Sequence, residues 1–187
     1  MLYTAFAFLL LSFLTTEAKV ARFNSCGFPN GTDVKPNTFS CNAAAPIQVL
    51  ETHIRDPSGK DVYPIDPTKP IVLDLSAINH GIQYNDDKAN VKLFEYTSNW
   101  LTGECAWQEI PTFGLLNNID GCETAHNCPL KPGHLDLGLK LDLTKYAGII
   151  KLLASHSAYQ LHIQMFDYNE GSSHEEIACV IAQLHFV

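Results

Sequence analysis

The sequence predicts an all-β protein, an antiparallel β-sandwich stapled by disulfides, and three observations lead there. Strand-length apolar runs recur along the chain, with clusters of Gly, Pro, Asn and Asp between them. One of these runs alternates without error: Leu135, Leu137, Leu139, Leu141 and Leu143 fall on one face, Asp136, Gly138, Lys140 and Asp142 on the other. Six cysteines, Cys26, Cys41, Cys105, Cys122, Cys128 and Cys179, form an even set behind a signal-like start, the pattern of an oxidised framework.

Residues 5–14 are almost wholly apolar and too short to span a bilayer as a helix, and Thr16-Glu17-Ala18 follows with small residues where a signal peptidase reads. Residues 1–18 are expected to be a secretory signal and 19–187 one domain, secreted or lysosomal. The start lacks a positive charge, and an uncleaved anchor is the alternative. The 187-residue chain carries a net charge of −8, which argues against a nucleic-acid partner. Asn30-Gly31-Thr32 is an N-glycosylation sequon, with Asn30 the acceptor.

Strands are expected at 47–54, ended by Arg55-Asp56-Pro57-Ser58-Gly59, and at 71–78, entered through Pro70. A third spans 89–97 after Asn85-Asp86-Asp87, and a fourth spans 104–110 after Thr102-Gly103. The leucine strand covers 134–144 and is fed by a loop closed between Cys122 and Cys128 and by the turn residue Gly133. Strands at 159–168 and 177–187 flank the hairpin turn Asn169-Glu170-Gly171-Ser172-Ser173. Residues 147–156 fit a short helix or a buried strand equally well. Tyr63-Pro64-Ile65-Asp66-Pro67 is a rigid connection inside the domain. About seven short strands with regular turns suit a sandwich.

Four segments resemble the ML family of secreted lipid-recognition proteins. Phe23-Asn24-Ser25-Cys26-Gly27 looks like the family's opening strand, and Cys41 stands at a second familiar spacing. The loop from Asp120 to Leu130 is similar to that of the family's lysosomal cholesterol carrier. Ile177-Ala178-Cys179-Val180-Ile181-Ala182 resembles the closing strand of its mite allergens. The resemblance covers nearly all of 19–187. It implies an immunoglobulin-like sandwich whose sheets part to hold a lipid, with Cys26 bonded to Cys179 and Cys122 to Cys128. Cys41 departs from the pattern, because the place of its family partner holds Ala44, Ala45 and Pro46; pairing it with Cys105 is the economical reading, and two free thiols are the alternative.

The resemblance also implies a set of lipid-facing residues: Leu73, Leu93, Leu137, Leu139, Leu141, Leu161, Ile163 and Met165 on the inner faces, with Ile110, Pro111, Phe113, Leu115 and Tyr146 at a pocket mouth. Periodicity alone favours ordinary core packing for every one of these stripes. Edge packing is as good a reading of Phe113 and Tyr146 as a mouth. A Pro- and Gly-containing loop carrying Ile110, Phe113, Leu115 and Leu116 nevertheless suits contact with something apolar. Trp100 and Trp107 flank Cys105 and read first as rings stacked on a disulfide or filling the core, and second as membrane-touching residues.

The function expected is transport of a sterol or similar neutral lipid between membranes, through transient contact with membrane surfaces and a membrane sterol acceptor protein, with no cofactor and no metal. A glycolipid or phospholipid activator that presents its ligand to a hydrolase is one alternative, since 151–164 resembles the family's ganglioside activator. A receptor-associated or defence lipid-recognition protein is another. An enzyme is not expected: G-x-S-x-G, H-E-x-x-H, a P-loop and an EF-hand loop are all missing. The eight histidines are scattered without metal spacing. Ser155-His156-Ser157 lacks an oxyanion site, and Cys128 beside His126 is committed to a disulfide.

Overall fold

The computed structural model describes residues 26–126, 128–141 and 157–187. The expected signal segment 1–18, the expected opening strand residues Phe23-Asn24-Ser25, Leu143, Tyr146 and the stretch 147–156 lie outside those residues. Within them the chain is an antiparallel β-sandwich. The strands are β1 Asn37–Ser40, β2 Ile47–Arg55, β3 Ile71–Asn79, β4 Asp87–Ser98, β5 Cys105–Ile110, β6 Ile119–Asp120, β7 Gly133–Leu141, β8 Ala158–Asp167 and β9 Glu176–His185. The larger sheet has the order β1-β9-β8-β4-β5, with the short β6 also on β4, and the smaller sheet is β2-β3-β7.

Alternation sets which face each strand buries. Leu137 stands opposite Leu75 and Leu135 opposite Ala77, so the leucines of β7 continue across β3 as one apolar inner face, and Leu139 pairs in register with Leu73. The outer row of the same two strands pairs Asp136 with Ser76. In the larger sheet Leu161, Ile163 and Met165 of β8 lie in register with Leu93, Val91 and Ala89 of β4 on one side and with Ala182, Val180 and Ala178 of β9 on the other. A bulge between Val49 and Glu51 lets β2 keep both halves in phase with β3.

The interior holds two apolar clusters. One joins Ile54, Ile65, Ile71, Leu93, Leu116, Tyr159, Leu184 and Phe186 at the end where β4 stops and β8 starts. The other joins Ile47, Ala77, Tyr84, Leu130, Leu135, Ile177 and Ala178 at the opposite end. The proline-rich connection seals the first: Ile65 donates to the His185 carbonyl at 2.9 Å and accepts from Val187 at 3.0 Å.

Beyond the short strands β1 and β6, which no expected strand covers, two features differ from the sequence expectation. The 120–130 loop contains a helical turn, α1 Gly121–Ala125, because the Asp120 carboxylate caps it by accepting from the Glu123 N–H at 2.8 Å. The disulfide framework is also rearranged. Cys122–Cys128 forms as expected, but Cys41 bonds Cys179 and Cys26 bonds Cys105. Cys26–Cys179 and Cys41–Cys105 are therefore incorrect, for a reason that lies in β1. The segment that pairs with β9 is Asn37–Ser40, with Ser40 opposite Val180, so the next residue, Cys41, donates its N–H to the Cys179 carbonyl at 2.9 Å. Cys26 lies on the approach to that strand and meets Cys105 at the start of β5, while neighbouring Phe28 packs on the His185 ring at 4.5 Å.

Candidate functional site

Between its two clusters the sandwich changes character. At each end the inward residues are fully buried, as at Leu93, Tyr159, Ala77 and Leu135. Midway most are apolar but only half-buried, Leu73, Leu75 and Leu137 on the smaller sheet and Val91, Leu161, Ile163, Met165 and Ala182 on the larger, while Val180, opposite Ile163, is buried. Leu73, Val91 and Leu161 lean on the first cluster, Leu137 and Met165 on the second, and Leu75 and Ile163 belong to neither. A domain of this size ordinarily closes one continuous core. Here two cores are separated by an apolar layer that solvent still reaches.

Two polar atoms face the same interior. Thr52 stands in β2 opposite Leu75, and its Oγ1 is buried without a hydrogen-bond partner among the described residues. Gln108 of β5, on the same face as Ile110, has its Nε2 in the same condition. Unpaired buried groups of this kind are uncommon in native proteins. One is an oxygen that both donates and accepts, the other a donor.

The expected lipid-facing residues are dispersed, with Ile163 in neither cluster. Leu73, Leu93, Ile110 and Leu161 assemble around the first cluster, and Leu137 and Met165 around the second. Leu139 and Leu141 stand in register opposite Leu73 and Ile71, and Tyr146 is outside the described residues. Pro111, Phe113 and Leu115 are on the surface, Phe113 at 89% and Leu115 at 66% exposure, whereas Leu116 turns inward and is buried. Phe113 is thus neither edge-packed nor part of the interior. It holds a left-handed φ of 52°, a costly conformation for a bulky side chain that persists only where the surrounding chain enforces it. The chain does so by pinning both sides of the loop: Leu115 N–H bonds the Thr112 carbonyl at 3.0 Å, and Val91 N–H bonds the Leu116 carbonyl at 2.8 Å.

Trp100 is not a core residue either. It sits beside Leu101 in the β4–β5 turn at 81% exposure, in a turn closed by Asn99 N–H on the Glu104 carbonyl at 2.8 Å. Trp107 is half-buried on the outer sheet face against Tyr96, with ring centroids 5.1 Å apart. Leu75 lies on the inner face expected for 71–77, whereas Val91, Val180 and Ala182 are interior residues outside the expected set, although each lies in the alternating row of an expected strand.

The surface of the described residues carries two depressions of note. A cleft of about 550 Å³ separates Val34, Lys35 and Pro36 from the edge of β2 at Thr52 and Ile54, with Tyr63 at one side. Burial pushes the Tyr63 phenol up to about 12, and its hydroxyl donates to the Thr32 carbonyl. A groove of about 440 Å³ crosses the outer face of the smaller sheet over Glu51, His53, Arg55, Asp74, Ser76 and Asp136. Its side chains are tied to one another, Arg55 to Asp61 at 3.1 Å and to Asp74 at 2.5 Å, and His53 to Glu51 at 3.0 Å. The Ser76 hydroxyl and the Asp136 carboxylate both approach His134 at Nε2, at 3.4 and 3.1 Å. A serine–histidine relay needs the two ring nitrogens divided between those partners, so this trio lacks that geometry.

No family model matches the chain, and no curated protein is significantly similar to it. Among solved structures the chain is similar to the C-terminal domain of wzt, at 10% identity over 84% of this chain and 81% of that chain, with a TM-score of 0.36. A likeness so low carries no argument about what the protein does.

Proposed function

We propose that this protein binds a neutral lipid, a sterol or a molecule of similar shape, in the space between its sheets and carries it between membranes. The observation that carries the proposal is the half-buried apolar layer between the two cores, centred on Leu75 and Ile163. Apolar side chains left in contact with water at the middle of a sandwich forgo stabilisation that a hydrocarbon ligand would restore, at about 25 cal/mol per Å² removed from water. Thr52 Oγ1 and Gln108 Nε2 suit a ligand that brings one or two polar atoms, such as a hydroxyl.

Transport needs no bond-making group. Covering roughly 300 Å² of sterol hydrocarbon avoids a cost of about 7 kcal/mol in water, so a cavity as apolar as the bilayer makes transfer nearly neutral. Phe113 and Leu115 on the β5–β6 loop, and Trp100 and Leu101 on the β4–β5 turn, supply exposed apolar residues for contact with a membrane. Three disulfides fit an oxidising compartment, extracellular or lysosomal. Among the described residues no helix is long and apolar enough to cross a membrane. Asn30 is exposed as a residue, but its Nδ2, the atom a glycan would take, donates to Gln183 Oε1 at 2.8 Å.

Lipid extraction of the purified protein followed by mass spectrometry, together with titration by a fluorescent sterol, tests this function. One sterol per protein is expected, displaced by cholesterol and barely weakened by salt, because burial and not ion pairing supplies the affinity. Preference for acidic phospholipid or ganglioside vesicles, with steep salt dependence, would instead indicate a lipid activator that serves a hydrolase.

A further inference from the structure

The Cys122–Cys128 disulfide rests against a buried acid. Asp87 opens β4 opposite Asp167 of β8 and is fully shielded from solvent. It is pressed so closely to α1 that a Cβ on Gly121 would lie 1.9 Å from its Oδ1, which is why a glycine is required there. Its Oδ2 lies 3.2 Å from Cys128 Sγ and 3.9 Å from Cys122 Sγ. Its Oδ1 is buried without a hydrogen-bond partner among the described residues. On the other side, Cys122 Sγ is 3.4 Å from the Asn85 carbonyl oxygen. Sulfurs joined in a disulfide have no proton to donate, so these contacts satisfy nothing in the oxidised protein. Two thiols in the same places would find their acceptors already positioned, Cys128 at Asp87 and Cys122 at Asn85.

The surroundings favour the protonated form of Asp87. Burial is the main reason that its carboxyl is pushed up to about 6, and the charges of Asp120 on β6 and Asp86 next in sequence push the same way. Asp167 faces it across the β-ladder, and α1 contributes Glu123. The nearest lysine in sequence, Lys88, is turned away onto the Tyr168 ring, 4.5 Å from its centroid. Both cysteines of the bridge are half-buried, within reach of a small reagent.

We propose that Cys122–Cys128 is an exchange site for dithiol reductants, with Asp87 as the proton donor to the departing Cys128 sulfur. A dithiol gives up one proton to solvent and its thiolate attacks Cys122 Sγ. The Cys122–Cys128 bond breaks, a mixed disulfide forms at Cys122, and the electron pair passes to Cys128 Sγ, which takes the Asp87 proton and becomes a thiol. The second thiol of the reagent loses its proton to solvent and closes on the reagent's own sulfur. That step releases Cys122, which is protonated from water together with Asp87. The protein gains two thiols and the reagent leaves as a cyclic disulfide.

The test is differential alkylation and mass spectrometry of the whole protein during exposure to dithiothreitol between pH 4.5 and 8, with each rate divided by the reagent's thiolate fraction. The corrected opening rate of Cys122–Cys128 should fall as pH rises through 6. Asp87→Asn should lower it about a hundredfold below that pH, at the modest end of general-acid effects, and flatten the profile. Cys41–Cys179 serves as the internal reference. Its rate at each pH should be unchanged by the Asp87 substitution. A flat wild-type profile, the same profile in Asp87→Asn, or a Cys122–Cys128 bridge that stays closed while the other two open would overturn the assignment. The wild-type profile is read without any variant, so the inference can fail even where Asp87→Asn does not fold.

Discussion

Ile163 and Leu75 point inward from opposite sheets and join neither core cluster. Enlarging a side chain in a filled core costs about 1–3 kcal/mol, so the two positions discriminate between a packed interior and a vacant one. Ile163→Phe is expected to lower stability by less than about 1 kcal/mol in urea denaturation while weakening sterol binding roughly tenfold, since the ring takes up ligand space. Leu93→Ala, at a fully buried position, is expected to cost about 2–5 kcal/mol in the same denaturation. Asp87 makes a residue-scale prediction about pH. Its folded-state value, about 6, lies above that of a carboxyl in the unfolded chain. Its contribution is therefore fully present below about pH 4 and lost as pH rises through 6, a swing of at most about 3 kcal/mol. Melting temperature should be higher at pH 5 than at pH 7, and Asp87→Asn should remove that difference. Equal wild-type melting at the two values would show that the carboxyl is not held neutral.

At the scale of elements, the β5–β6 loop is the part whose surface chemistry matters most. Phe113→Asp is expected to slow sterol transfer between vesicles several-fold with no change in the melting temperature, because a charge that must approach hydrocarbon is costly and one in water is not. Unchanged transfer would remove the loop from the membrane contact. The disulfides differ in what they restrain. Cys41–Cys179 closes 138 residues and Cys122–Cys128 only 6, so loop entropy predicts about 5 kcal/mol lost on replacing the first pair with alanine and about 2 kcal/mol for the second. Urea denaturation of the two double variants measures both. Strands β2, β3, β4, β5, β7, β8 and β9 were legible because turn residues bound each of them and most have enough alternating residues to declare a face. β1 was not: Asn37-Thr38-Phe39-Ser40 is short, largely polar, and is a strand only because β9 lies beside it. The two mistaken disulfides follow from that omission, since cysteine partners are decided by which strand neighbours which. The candidate interior was legible as stripes, but the half-burial of its middle layer was not, because alternation reads the same whether the facing sheets meet or stand apart. The buried Asp87 was hidden in a run of polar turn residues, Asn85-Asp86-Asp87, that promises only exposure.

For the whole molecule, the pairing of β1 with β9 joins the earliest and latest described strands into one edge of the larger sheet. During synthesis β2 and β3 can form their ladder as soon as both have emerged, whereas β1 has no partner until residues 180–183 are made. Contacts of such long range are slow to form, because the entropy of closing the loop comes before any reward. Cys26 can meet Cys105 well before Cys41 can meet Cys179, so the thiol of Cys41 waits longest in the nascent chain. The larger sheet is therefore completed from its far edge at the very end, and a ribosome stalled before β9 would display the apolar row of β8 with one flank open, a surface that chaperones recognise and aggregation exploits.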